Sequence, residues 1–126
     1  VEFYEVVEGF TQMSGINNLN FKDSFERIKK NSNSKINKIN IECKTFEKLI
    51  PCDQIIDLIS IDIEGNEPDV LKSINFDKYQ IKVIILENNI SKELNYLKFF
   101  KEKNFYYFDR AGMDEIYYNK KYFSLK

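Results

Sequence analysis

The chain has 126 residues, 43% hydrophobic and 15% aromatic, which suits one compact core and not two. Its 19 basic and 20 acidic side chains leave a net charge of -1, so no long-range pull toward nucleic acid or an anionic membrane is expected. Histidine is absent, which excludes Ser-His-Asp and Cys-His nucleophile pairs and every His-ligated metal site.

Val1 to Val7 reads as a strand of bulky β-formers, and Gly9 to Asn20 as a loop. Phe21, Phe25 and Ile28 recur at helical spacing, and Asn31-Ser32-Asn33-Ser34 ends that helix. Ile39 to Thr45 alternates, with Ile39, Ile41 and Cys43 on one face, and is expected to pair with Val1–Val7. Thr45 to Leu49 gives one helical turn stopped by Pro51. Ile55 to Asp62 is an apolar run ending in an acid, suited to a strand covered on both faces. Asn66 can then cap a helix, with Pro68 in its first turn and Val70, Leu71 and Ile74 on its apolar face. Ile81 to Glu87 is a second apolar strand ending in an acid. Ser91 can cap the next helix, whose Leu94, Leu97 and Phe100 would face inward. Phe105–Phe108 and Glu115–Leu125 supply two aromatic strands, the latter turning at Asn119-Lys120. The rhythm is that of a parallel α/β sheet with an antiparallel edge. No apolar run approaches the roughly 18 residues of a membrane span, and no signal peptide is visible. Cys43 and Cys52 match no zinc or Cys-x-x-Cys spacing and suggest a reduced, cytoplasmic setting.

Ligands of open α/β sheets sit beyond the carboxyl ends of the strands. Two strands here end in acids, Asp62 followed by Glu64, and Glu87 followed by Asn88 and Asn89. If the strands are neighbours, those side chains converge on one crevice. Gly65 permits a sharp turn after the first of them. Three acids within six residues, Asp62, Glu64 and Glu67, repel unless a cationic ligand, a divalent metal or a proton lies among them. Glu67 and Asp69 equally suit the first turn of the following helix, where the dipole favours negative charge.

Asp62-Ile63-Glu64-Gly65-Asn66-Glu67, then Leu71 and the strand ending at Glu87, resemble the hallmark of FkbM-type methyltransferases. That hallmark is Asp-(Val/Ile)-Glu-Gly-x-Glu after an apolar strand. Ser60 stands where many members carry Lys. Thr45-Phe46-Glu47 is similar to a further family element. The resemblance implies a Rossmann-like fold, S-adenosylmethionine as cofactor, and O-methylation of a sugar or secondary-metabolite hydroxyl. Asp62 would orient the cofactor or take the acceptor's proton, Glu64 is the other candidate base, and Glu67, Glu87 and Asn88 would bind the acceptor. No resident metal is implied.

The Gly-rich cofactor turn of that fold has no counterpart among Gly9, Gly15, Gly65 and Gly112. The expectation is therefore a partial domain over residues 1–126: a hairpin with a helical insert at 1–50, then a βαβαββ half at 51–126. It would be the C-terminal half of a mostly parallel sheet, with the N-terminal cofactor-binding strands missing and an exposed sheet edge prone to self-association. Two other readings stay open. Asp-x-Glu after an apolar strand also suits a metal-dependent nucleotide-sugar glycosyltransferase. A non-catalytic truncated gene product is the other, with Tyr106, Tyr107, Tyr117, Tyr118 and Tyr122 as an adhesive face.

Overall fold

The computed structural model describes residues 1–18, 21–31, 33–88 and 95–123. It is a mixed α/β structure with two sheets, and the chain divides into two compact units. One comprises Val1–Lys44 with Ile63–Asn66, the other Thr45–Asp62 with Glu67–Lys126. Buried side chains form two clusters instead of the single core expected from length.

In the first unit, β1 (Glu2–Glu8) lies between β2 (Gly15–Ile16) and β3 (Lys35–Asn40), antiparallel to both. The expected loop at Gly9–Asn20 thus contains a strand, and also a 3-10 turn at Thr11–Met13. The cause is packing against Phe21: a Cβ on Gly15 would lie 2.4 Å from that ring, so only glycine lets the backbone run so close. The β3 strand also lies earlier than expected. The bond from Ser34 N–H to the Asn31 carbonyl, 3.0 Å, closes the turn. Pairing then runs from Glu8–Lys35 to Glu2–Asn40, where β1 is exhausted. Ile39 and Cys43 are consequently exposed instead of lining a buried face. The helix expected from Phe21, Phe25 and Ile28 is α1 (Lys22–Lys30). Asn18 Oδ1 accepts from Phe21 N–H at its start, 3.1 Å. Val6, Met13, Phe21 and Ile28 are buried together, with the Tyr4 and Phe25 rings stacked 4.3 Å apart.

The second unit opens with α2 (Phe46–Leu49), one turn that Ile50 N–H closes onto Phe46 O. Its sheet has β4 (Ile55–Ile61), β5 (Gln80–Glu87), β7 (Asp114–Asn119) and β6 (Phe105–Ala111), in that spatial order. Only β4 and β5 are parallel; β5–β7 and β7–β6 are antiparallel, so the sheet is mixed and not mostly parallel. Between β4 and β5 the chain forms α3 (Glu67–Ser73), and between β5 and β6 it forms α4 (Tyr96–Glu102). Leu71 of α3 and Phe100 of α4 join Ile84, Leu86 and Tyr117 in one buried cluster.

As the terminal strand in this order, β4 is not covered on both faces: Ile55 and Leu58 are 57% and 53% exposed. The cap of α4 is Asn95, whose side chain accepts from Lys98 N–H at 3.0 Å. Ser91 and Leu94 lie outside the described residues. Leu97 is exposed; Tyr96 and Phe100 face the core instead, because the helix starts later than expected. The strand β6 extends to Ala111, and β7 stops at Asn119, where the expected turn begins. Among the described residues no helix is long and apolar enough to cross a membrane.

Candidate functional site

The parallel pairing of β4 with β5 runs to Ile61 opposite Leu86. That register brings the next residues, Asp62 and Glu87, to the carboxyl end of both strands. Glu67, the first residue of α3, joins them, and carboxylate oxygens of Asp62, Glu67 and Glu87 lie within 4.8 Å of one another. Asp62 is exposed, Glu87 half-buried, and Glu67 only 4% exposed.

The backbone makes this possible between strand and helix. Gly65 has φ +97° and Glu64 φ +54°, two successive residues in the left-handed region that glycine tolerates and glutamate rarely enters. Asn66 Nδ2 donates to the Ile63 carbonyl at 3.3 Å across that turn, and Asn66 Oδ1 accepts from Asn18 Nδ2. The chain therefore reverses within five residues of Asp62.

Of the residues predicted from sequence, Asp62, Glu67 and Glu87 come together. Glu64 lies in the intervening Ile63–Asn66 segment and is not one of the three. The first-turn position of Glu67 is as expected, and its burial beside Pro68 goes beyond a solvated cap. Asp69, also in that turn, is exposed and 3.9 Å from Lys72 Nζ. Three carboxylates so close repel, and a cation or a shared proton offsets that repulsion. The donor set is all oxygen, suited to an ammonium, a sulfonium or a hard divalent ion.

Asn88 sits beside the acids in a network that sequence reasoning missed. Its Nδ2 donates to Glu115 Oε1 at 2.9 Å, and the Tyr117 hydroxyl donates to Glu115 Oε2 at 2.6 Å. Asn88 N–H also donates to the Met113 carbonyl at 2.9 Å. Burial, then the hydrogen bond to Glu115, push the Tyr117 hydroxyl far above its ordinary pKa. Tyr117 is therefore core, not adhesive surface, stacked on Phe100 at 4.1 Å. Glu115 and Tyr117 share one face of β7 by their spacing of two. Placing that face beside Asn88 requires β7 to pair with β5, skipping β6. Asn89 lies outside the described residues.

A family model, the methyltransferase FkbM domain, matches residues 2–107. The chain belongs to the FkbM methyltransferase family. Searches of curated proteins and of solved structures found no match. The family match runs from β1 into the start of β6 and so includes Asp62, Glu67, Glu87 and Asn88.

Proposed function

We propose that the protein is an S-adenosylmethionine-dependent O-methyltransferase of Rossmann-like fold, acting on a hydroxyl of a sugar or secondary metabolite. The observation that carries this reading is the convergence of Asp62, Glu67 and Glu87 at the carboxyl ends of the two parallel strands, where open α/β sheets hold ligands. Family membership supplies the reaction class.

The carboxylates suit the positive charges of S-adenosylmethionine, its ammonium and its sulfonium. Bound, that cofactor supplies an electrophilic methyl group. Asp62, exposed at the strand end, holds the cofactor's ammonium beside the acceptor hydroxyl and takes that hydroxyl's proton as the oxygen becomes the nucleophile. With no histidine in the chain, a carboxylate is the natural general base. Glu67, buried at the helix start, backs the site from behind. Glu87 and Asn88 line the acceptor side, and Glu115 fixes the Asn88 amide. Most of the acceleration comes from holding acceptor and methyl group in line. The chain's four glycines form no strand–Gly-x-Gly–helix unit, so the role given to these acids is at the charged end of the cofactor and at the acceptor, not at the nucleoside. Two exposed free thiols, Cys43 and Cys52, accord with a reducing cytoplasm.

The same oxygen donors suit magnesium or manganese, the basis of the glycosyltransferase reading. Titration calorimetry on the protein separates the two. S-adenosylhomocysteine should bind in the presence of EDTA. Binding of a uridine diphosphate sugar only with manganese, and none of S-adenosylhomocysteine, would overturn methyl transfer.

A further inference from the structure

At the other end of β5 from the acids, the second unit carries a cavity of about 700 Å³. Gln80 opens β5 beside it and Glu87 closes the strand, seven residues and about 23 Å away. The cavity is thus separate from the acid-bearing edge.

Its wall is built from two corners. One is the end of α4, where Asn104 has φ +63°; the other is the turn after β7. Lys120 N–H donates to the Asn104 carbonyl at 3.3 Å and so joins them. The second corner is tied within itself: Lys121 N–H donates to Asn119 Oδ1, and Tyr122 N–H to the Asn119 carbonyl, both at 3.0 Å. Asn119 Nδ2 in turn donates to the Ile81 carbonyl at 3.3 Å. The backbone that presents Lys103, Lys120 and Lys121 is fixed in advance.

These three lysines line the cavity, and none makes an ion pair among the described residues. Lys120 Nζ lies 5.3 Å from the ring centre of Tyr106 and Lys121 Nζ 5.4 Å from that of Tyr122, both rings also lining it. Cation–π contact of this kind holds an ammonium in place without neutralising it. Two carboxylates, Asp77 and Glu102, border the cavity as well. Three ammonium groups against two carboxylates leave the lining net positive in a chain of net charge -1.

We infer that this cavity binds a nucleoside phosphate. Its volume falls within the range of small-molecule sites, roughly 300–1,000 Å³. The lysines meet the phosphate as charge-assisted donors. Tyr106, 40% exposed, offers a ring on which a base can stack. Asn104 and Gln80, which also line the cavity, supply amide groups for the sugar.

Uridine 5′-monophosphate is the probe, titrated into the protein with ¹⁵N-amide NMR as readout, with uridine and inorganic phosphate as controls. Saturable shifts should appear at Asn104, Lys120, Lys121 and Tyr122, persist with S-adenosylhomocysteine present, and weaken with salt. Each control should bind more than about tenfold more weakly. The double substitution Lys120→Gln/Lys121→Gln should weaken binding by more than about tenfold with an unchanged circular dichroism spectrum, and Lys103→Gln alone should act in the same direction. Absence of saturable shifts at these amides, equal binding of inorganic phosphate or uridine, or undiminished binding by the lysine variants would each overturn the assignment.

Discussion

Among the described residues the second unit buries eleven hydrophobic side chains in one cluster, around Phe100 and Tyr117, whereas the first buries four. The small cluster leans on stacked rings of Tyr4, Phe21 and Phe25, and exposed pairs such as Lys38 Nζ with Glu2 Oε2 at 2.5 Å lie at the surface of its unit. The large cluster reaches directly beneath the acids, through Ile61 one residue before Asp62, Leu86 one before Glu87, and Leu71 in the helix that Glu67 begins. Geometry at the candidate site is therefore held by the better-packed region, as positioning of reactive groups demands.

Truncation should expose that difference most strongly. Phe100→Ala removes a fully buried ring that touches Phe105 and Tyr117, and should cost about 3–5 kcal/mol in urea unfolding. Ile28→Ala in the small cluster should cost less, about 2–3 kcal/mol. Hydrogen exchange should locate its effect: amides of β1 and β3 lose protection while those of β5 and β7 keep theirs. Equal loss in both sheets would show that the two units unfold as one.

A smaller effect is expected at Gly15, where a methyl group must displace the Phe21 ring. Gly15→Ala should cost about 1–3 kcal/mol.

The third test concerns pH. The Tyr117 pKa is raised by burial and by its bond to Glu115. A raised folded-state value means stability that is complete below the unfolded tyrosine value, near 10, and falls as pH climbs beyond it. Thermal melts should be flat in this respect to about pH 10 and decline above it, with a shallower decline in Tyr117→Phe. Tyr79, raised by burial and then by Glu47, acts in the same direction and should preserve part of the slope.

The smallest effect belongs to the exposed pair in the first unit. Hydrogen bonding to Lys38, then to Asn17, holds the Glu2 carboxyl below its usual value. Its contribution is therefore present above that usual value and lost as pH falls below it. Solvent screens this pair, so Lys38→Gln should leave the melting temperature at neutral pH unchanged within error.

The difference between the units also decides what the sequence could reveal. Apolar runs such as Ile81–Leu86 and the Phe21–Phe25–Ile28 stripe announce elements whose burial is set by local periodicity. The converging acids were legible because strand ends and a Gly-containing turn mark one sheet edge in advance. Other features depend on partners distant in sequence. The extent of β3 follows from where β1 ends, and β2 exists because Gly15 lets Phe21 close over it. The Asn88–Glu115–Tyr117 network follows from β7 entering the sheet beside β5. No local pattern encodes that order, so Glu115 reads in sequence as one more surface acid.

The most direct test is the affinity of the protein for S-adenosylmethionine, measured calorimetrically in EDTA, for the wild type, Asp62→Asn and Asp69→Asn. Asp62 is one of the three converging acids, whereas Asp69 is an exposed acid of the same helix region paired with Lys72. Loss of one charged partner should weaken binding by about tenfold or more in Asp62→Asn, with Asp69→Asn matching the wild type. Wild-type affinity in Asp62→Asn would contradict the claim that the three carboxylates form a cation-binding centre in this member of the FkbM methyltransferase family.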